Sequence, residues 1–313
     1  MKKKLLISTL IVVLILSMSM AMLVGCKKTA EFGEQTIGTE KPDMDTIPVT
    51  SDMSAFEMLQ VGVENYYNAD VAVSTYNGFV DTKLLGIAVV QLVESTKIRV
   101  GKGDESGENL NNASYFADNK SFSRFAKLYE KMVIKPGEKV LYKNAADGIK
   151  HDDKTGAWSV KKWNNVEYYQ EVLDLAYKKN NNPTVLWMYD LQEDFVLAEG
   201  TEAPVLENGV YKFTVKFDPV KSTANYIETM RAQLEVNAGM KVDGLTFEEL
   251  TLKVELWDNG AIKRIFITES YYMQMKIPVL GYVKSSITLN SDTQYAYEEV
   301  EGLRLQEHFD AFN

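Results

Sequence analysis

The sequence predicts an α+β fold built around one large antiparallel β-sheet with a few helices. Three observations predict it. Apolar and polar residues alternate with a period of two along several stretches, as expected for strands with one buried face. Turn signals separate several of these stretches, and Asp258-Asn259-Gly260 between two of them is a hairpin signal. Only a few stretches have the period of an amphipathic helix.

The first predicted helix spans about 54–68. Ser54 and Glu57 have the spacing of a capping box, in which each residue satisfies a backbone N–H of the other. The apolar residues behind them fall on one helical stripe, which consists of Phe56, Leu59, Val63, Tyr66 and Tyr67. The period then changes to two from residue 70, so the helix is expected to lead into the sheet.

The first half of the sheet is predicted from the alternation that follows this helix. Asn77-Gly78 and Pro136-Gly137 are predicted turns, because these residue pairs suit turn geometry, and the polar segment 101–112 is predicted to be a loop. The predicted strands are 71–76, 84–93, 97–100, 114–125, 128–134, 139–143 and 157–160.

The second half begins with a helix predicted from Asn164 or Asn165 to about 179, followed by a short helix to about 191. The clearest strand is 211–217, and Asp218-Pro219 ends it. Further predicted elements are a helix at 222–236 and strands at 250–256, 262–274 and 283–297. Asp258-Asn259-Gly260 is expected to close a hairpin, since Asn-Gly tolerates positive φ.

The N-terminal 25 residues have the composition of a secretory signal peptide. Three lysines, Lys2 to Lys4, precede the apolar run 5–24, which is the order of a signal peptide. The run ends in Leu-Val-Gly-Cys at 23–26, which resembles the lipobox of bacterial lipoproteins. The resemblance implies cleavage before Cys26 and a diacylglyceryl thioether on it, with palmitate among the acyl chains. The alternative is an uncleaved anchor, since about 20 apolar residues can span a bilayer.

The lipobox also predicts the domain organisation and location. Residues 1–25 are the expected signal peptide, 26–52 a lipidated cysteine with a flexible tether, and 53–313 the folded domain. The segment 29–51 is polar, contains two prolines and has no period, as in a linker. We therefore expect a protein attached by lipid to the extracytoplasmic face of the cell membrane.

Charge and cysteine content exclude several partners. The net charge is −10, and loss of Lys2, Lys3 and Lys4 with the signal peptide makes it −13. Such an acidic surface disfavours nucleic acid, whose affinity comes mainly from phosphate neutralisation. Cys26 is the only cysteine, so the body has no disulfide. The sequence predicts the membrane as a partner, through Cys26, and a lipid or other apolar ligand is a second candidate.

No recognised catalytic or cofactor motif stands out. Gly101, Gly103 and Gly107 lack the spacing of a dinucleotide-binding loop, and neither a Walker loop nor a zinc-protease motif occurs. His151 precedes two aspartates and could join a metal site, but a solvated turn is favoured because no second ligand cluster is in view. We expect no metal, no cofactor and no catalytic residues.

Six apolar residues are candidates for lining a ligand cavity: Phe213, Val215, Phe217, Leu252, Val254 and Leu280. The first five alternate along predicted strands, and their periodicity alone favours a filled core. Leu280 lies in the apolar segment 277–281 between two strands. That segment either folds back onto the domain or forms the mouth of a cavity.

The order of elements in the second half resembles that of the LolA-like lipoproteins. It runs strand, Asp218-Pro219, helix, strand, the 258–260 turn, strand and final strand. The N-terminal helix, the early strands and the turn at 155–158 extend the resemblance over roughly 53–300. The family includes the mycobacterial lipid carriers LppX and LprG.

The resemblance implies a curved half-barrel with helices on its inner face, an apolar cavity and no catalytic residues. We therefore expect a non-enzymatic protein that binds or carries a hydrophobic, lipid-like ligand. The alternatives are a structural or interaction lipoprotein with a filled core and a protein partner, and a hydrolase with an unrecognised site.

Overall fold

The fold is dominated by a single open antiparallel sheet, which confirms the predicted fold class. A computed structural model describes residues 32–84, 87–102, 113–123, 127–136, 140–145, 148–152, 155, 157–168, 189–228, 231, 241–277 and 281–312. Its strands are β1 (Val71–Leu84), β2 (Ile87–Val100), β3 (Ser114–Ser123), β4 (Lys127–Ile134), β5 (Val140–Ala145), β6 (Ile149–His151), β7 (Trp158–Val160), β8 (Asn164–Tyr168), β9 (Glu202–Glu207), β10 (Val210–Lys216), β11 (Lys241–Trp257), β12 (Ile262–Ile277) and β13 (Gly281–Ala296). The helices are α1 (Ala55–Asn68), α2 (Pro219–Ser222) and α3 (Leu305–Phe312), with a 3₁₀ turn at Glu193–Phe195.

The strand order of the described sheet is β8-β5-β4-β3-β2-β1-β13-β12-β11-β10-β9, and every pairing is antiparallel. The sheet does not close, so it fits a half-barrel. The β11–β12 pair contains three register shifts, and such bulges bend a sheet. β6 and β7 form a separate hairpin.

The two faces of the sheet carry different elements. The front face, defined by Phe213, Leu252 and Ile265, packs against α1. The back face, defined by Val73, Ile98 and Phe116, packs against α3. Helices were predicted on the inner face alone, so the position of α3 corrects that prediction. Its apolar side chains, Leu305 and Phe309, find cover on the opposite side of the sheet.

The first helix confirms the capping prediction. The Ser54 hydroxyl accepts a hydrogen bond from the Glu57 N–H at 3.2 Å, and the Glu57 carboxylate accepts one from the Ser54 N–H at 2.7 Å. Behind this cap, Phe56 packs edge-on against Phe217 of the sheet, with ring centroids 6.1 Å apart. The helix is thus held at its start and along its buried face.

The β11–β12 turn also forms as predicted. Gly260 has φ +90°, and the Trp257 N–H donates to the Ala261 carbonyl at 2.9 Å. The Asn77-Gly78 turn, by contrast, is a wrong prediction, because both residues lie within β1. A side chain at Gly78 would meet the Tyr76 hydroxyl at 2.6 Å, so this glycine leaves room for a ring.

Three helix predictions need correction or fall outside the description. The helix expected from Asn164 begins instead as β8, which pairs with β5 through residues such as Val166 and Tyr168. Most of that predicted helix and of its short successor lie outside the described residues. The helix expected at 222–236 starts earlier, at Pro219, where Asp218 caps it. It breaks at Thr223 and resumes over 224–228.

The segment predicted as a flexible tether is ordered from residue 32 onward. We call residues 32–50 the N-terminal strap. It begins on the back face, where Phe32 contacts Phe79, and Ile37 joins the back-face core. It then rounds the β11–β12 turn and places Val49 in the front-face core. The prediction failed because isolated apolar residues without a period gave no signal of packing.

Candidate functional site

Five of the six predicted lining residues lie together in the front-face core. Phe213, Val215 and Phe217 come from β10 and the residue after it, and Leu252 and Val254 come from β11. All five are at most 4% exposed and share one cluster with α1. The structure therefore gives them the core role that their periodicity favoured. The cleft described below has none of them in its lining.

Two other predicted positions fall outside the description. Cys26 precedes the first described residue, and Leu280 lies in the undescribed segment between β12 and β13. Among the described helices, none combines the length and apolar character needed to cross a bilayer.

A buried carboxyl group lies on the front face beyond the α1 core. Glu269 of β12 is 3% exposed, and the Tyr189 hydroxyl donates a hydrogen bond to it. Aromatic rings continue from there in edge or tilted contact. Their centroids are 6.2 Å apart from Tyr189 to Tyr226, 5.4 Å from Tyr226 to Phe247 and 4.6 Å from Phe247 to Tyr271. We call these five residues the Glu269 cluster.

Burial controls the protonation of this cluster. It raises the pKa of Glu269 to about 7, although the hydrogen bond from Tyr189 opposes the shift. Burial likewise raises the pKa of Tyr76, on the nearby strand β1, to about 12. The Glu269 carboxyl therefore exchanges its proton near neutral pH, whereas the surrounding phenols stay protonated and can donate hydrogen bonds.

Strand β13 adds hydroxyl groups to the same face. Ser285 and Ser291 are 3% and 1% exposed. Ser291 shares a hydrogen bond with the Tyr76 hydroxyl, whereas the Ser285 hydroxyl has no hydrogen-bond partner within the described part of the chain. Between them lie Ile287, which faces Tyr271, and Leu289, which faces Glu269. A buried polar group without a partner calls for an explanation such as a bound molecule or water.

The apolar part of this region continues along the sheet. Leu245 and Phe247 of β11, Met273 of β12 and Val283 of β13 are all buried. With Ile287 they form an apolar row that adjoins the Glu269 cluster, because Phe247 pairs with Tyr271 and Tyr271 pairs with Ile287. The front face thus combines buried apolar side chains with a few hydroxyl groups and one carboxyl group.

A polar cleft lies elsewhere on the described surface. It has a volume of about 440 Å³ and lies between the strap and the C-terminal end of α1. Asp43, Asp45, Asp70 and Lys102 contribute to its lining, and the Lys102 ammonium lies 3.9 Å from the Asp70 carboxylate. An acidic, half-open cleft of this kind is poorly suited to an apolar ligand.

The structure describes the backbone of His151. It lies in β6 and pairs with Trp158 of β7. In the part of the chain that the structure describes, no group of three or more His, Cys, Asp or Glu residues could hold a metal ion.

Glu269 was missed by sequence reasoning, although a signal existed. Ile265, Ile267, Glu269, Tyr271 and Met273 alternate along β12 with the residues of the opposite face. A lone carboxylate in such an apolar row predicts either a strand end or a buried acid. Its partner Tyr189 is 80 residues away in sequence, so no local pattern could pair them.

Comparison with known proteins adds little. No protein-family model and no curated protein matches the sequence. Among solved structures, the crystal structure of a DUF1329 family protein from Desulfovibrio piger is similar to this chain at 10% identity. The match covers 80% of this chain and 98% of that one, with a TM-score of 0.22, and a similarity this weak establishes neither fold nor function.

Proposed function

We propose that this protein is an extracytoplasmic lipoprotein, held in the membrane by acylated Cys26, whose LolA-like half-barrel binds a hydrophobic, lipid-like ligand. The anchor rests on the lipobox at 23–26, and the proposed role is binding rather than catalysis. The ligand would lie on the front face, along the apolar row that contains Met273, Val283 and Ile287.

One observation carries the ligand-binding proposal. Ser285 buries its hydroxyl group beside apolar side chains, without a hydrogen-bond partner among the described residues. A filled apolar core gives no reason for such a group, because an unmade hydrogen bond costs about 1–3 kcal/mol. A ligand with an apolar chain and a few polar atoms would use both kinds of surface.

The Glu269 cluster would then recognise the polar part of the ligand. Ser291 lies two residues along β13 from Leu289, the residue that faces Glu269. Ser291 and Glu269 are therefore diagonal neighbours across β12 and β13, about 7–8 Å apart, so a ligand hydroxyl or ester oxygen between them can contact both groups. Few polar groups on an apolar surface are the usual arrangement for orienting such a ligand.

A second candidate function is a structural or interaction lipoprotein. The observation in its favour is the core beneath α1, where Phe217, Leu252 and Leu256 are all fully buried. Five residues expected to line a cavity are packed there instead. In this alternative the front face is filled throughout, and a protein partner in the envelope takes the place of the lipid.

Mass spectrometry of organic extracts tests the proposal. The chain 27–313, produced without signal peptide and acylation site, should yield a co-purified lipid and bind a fluorescent fatty-acyl probe. Ile287→Trp should reduce probe binding, because Ile287 is 3% exposed on the front face. Thr288→Trp is the matched control, since Thr288 is exposed on the back face. A folded chain that yields no lipid and binds no probe favours the second candidate.

A further inference from the structure

The direction of the N-terminal strap shows which end of the sheet is nearest the lipid anchor. Phe32 contacts Phe79 and Phe266 in the middle of β1 and β12, with centroids 5.4 and 6.0 Å away. Ten residues later, the Pro42 carbonyl accepts a hydrogen bond from Asn259 in the β11–β12 turn. The strap therefore runs toward that turn, so its N-terminal side points to the opposite end.

That opposite end is where β1 connects to β2 and β12 connects to β13, and we call it the far end. Cys26 precedes Phe32 by only six residues, which span at most about 20 Å when fully extended. A strand of six residues covers about the same length, so the distance from Phe32 to Cys26 is at most about that from Phe266 to Tyr272 along β12. Because the strap is packed on the sheet, only the residues before Phe32 can separate the lipid anchor from the folded domain.

Contacts along the strap fix this course. The Arg264 guanidinium donates a hydrogen bond to the Gly33 carbonyl at 2.9 Å, and the Thr36 N–H donates one to the Gln294 side chain at 2.8 Å. Each of these contacts lies on the back face, between Phe32 and the β11–β12 turn. These contacts hold the start of the strap on the back face, on the side of the β11–β12 turn that leads toward the far end.

The back face of the far end carries exposed aromatic and cationic side chains. Tyr272 is 44% exposed and Tyr282 is 55% exposed, and both count among the most exposed large hydrophobic residues described. The Lys276 ammonium lies 5.6 Å from the centre of the Tyr282 ring. Lys83 and Lys284 are exposed on neighbouring strands. We call Lys83, Tyr272, Lys276, Tyr282 and Lys284 the far-end patch.

This composition suits a membrane interface. Tyrosine places its ring in the interfacial layer with its hydroxyl in water, and lysine extends its ammonium toward phosphate groups. The patch itself contains three lysines and no acidic residue, and the nearest described acidic residues on this face are Asp81 and Glu249, two residues farther from the end of the sheet, with Asp243 at the start of β11. The patch is cationic although the chain as a whole is acidic, with a net charge of −10.

We infer that the far-end patch rests on the headgroup layer of the membrane that holds the anchor, with anionic phospholipid as its partner. The inference depends on the proposed function in one respect, since it needs an acylated Cys26. It fixes an orientation: the back face of the far end lies on lipid, and the β9 edge, with exposed Val205 and Leu206, lies in water.

Depth-dependent fluorescence quenching tests this orientation in the full-length, acylated protein. Cys26 is the only cysteine, so acylation leaves an introduced cysteine as the sole site for a fluorescent label. Tyr282→Cys reports on the patch, and Leu206→Cys, at 52% exposure, is the matched control. The labelled proteins are reconstituted into phosphatidylcholine vesicles, with or without phosphatidylglycerol, that contain a brominated phospholipid as quencher.

The label at position 282 should be strongly quenched, and more so with phosphatidylglycerol, whereas the label at 206 should not be. Lys276→Glu combined with Lys284→Glu should remove the increase caused by the anionic lipid. Equal quenching at 282 and 206 in a protein whose mass shows acylated Cys26 would overturn the orientation. A mass without acyl chains would instead refute the anchor, and with it the proposed function.

Discussion

Tyr189 donates a hydrogen bond to the carboxyl group of Glu269, and both side chains are buried on the front face of the sheet. The bond joins the segment before the 3₁₀ turn to the middle of β12. Because it satisfies one oxygen of a carboxyl group that has little access to water, it lets an acid occupy an otherwise apolar row. Stability should therefore depend on the proton that this group carries.

Glu269→Gln should make the protein more stable at pH 8 and change little at pH 4. The pKa of Glu269 is raised from 4.5 to about 7 in the fold, so the folded state retains a proton that the unfolded state has lost. The contribution of this group to stability is therefore greatest below pH 4.5. As the pH rises from 4.5 through 7, the free energy of unfolding of the wild type falls by about 3 kcal/mol. Glutamine cannot ionise and avoids that loss.

Urea unfolding of both proteins across this pH range measures the difference. Glu248→Gln is the control, because Glu248 is exposed on the neighbouring strand β11 and should follow the wild type. Parallel stability profiles for wild type and Glu269→Gln would contradict the assignment of a buried, proton-binding carboxyl group.

Arg264→Ala should lower the free energy of unfolding by about 3 kcal/mol or more. The Arg264 guanidinium binds both oxygens of Asp292, at 2.7 and 2.9 Å, and the Asp292 side chain is 2% exposed. Removal of the arginine leaves a buried carboxylate without its counter-ion, and it also releases the strap at Gly33. Arg304→Ala is the control, since its pair with Glu299 is more than half exposed and should contribute at most about 1 kcal/mol. Equal midpoints in urea for the two variants would refute the role of this pair.

Gly260→Ala should destabilise the junction between strap, α1 and the β11–β12 turn. Gly260 has φ +90°, and an added Cβ would meet the Ile47 carbonyl oxygen at 2.6 Å and the Asn65 amide nitrogen at 2.7 Å. The Asn65 amide donates to the carbonyls of Ile47 and Gly260, both at 3.0 Å, so the methyl group would disrupt these bonds. We expect a cost of about 2 kcal/mol or more, from conformational strain and lost bonds together.

Gly302→Ala separates those two causes. Gly302 also has positive φ, +77°, but an added Cβ would meet nothing within 4 Å. This substitution should lower the free energy of unfolding by about 1–2 kcal/mol, because only the strain of a positive φ at alanine contributes. Thermal or urea unfolding compares the two variants, and a Gly302→Ala loss as large as that of Gly260→Ala would show that close packing at the turn is unimportant.

Sequence patterns predicted the elements whose signals are local. The Ser54–Glu57 cap, the 211–217 alternation and the Asn259-Gly260 turn each depend on residues a few positions apart, and each forms as expected. The core role of Val215 and Leu252 was also accessible, because residues of one face alternate along a strand.

The remaining features depend on contacts between residues far apart in sequence. The strap is held by partners such as Gln294, which lies 258 residues from Thr36, and α3 packs on the face opposite to α1. Residues 164–168 are extended because β5 offers an edge to pair with, and such tertiary pairing overrides helix propensity. The Tyr189–Glu269 bond has the same origin, so the Glu269 cluster could not be assembled from local patterns.

The most direct measurement for the proposed lipoprotein is metabolic labelling of the full-length protein with a fatty-acid analogue. The wild type should incorporate the label and appear as a processed chain that begins at Cys26. Cys26→Ala should abolish labelling and leave the precursor uncleaved, because the substitution removes the only thiol. Labelling that persists in Cys26→Ala, or a wild type that incorporates none, would contradict the anchor at Cys26.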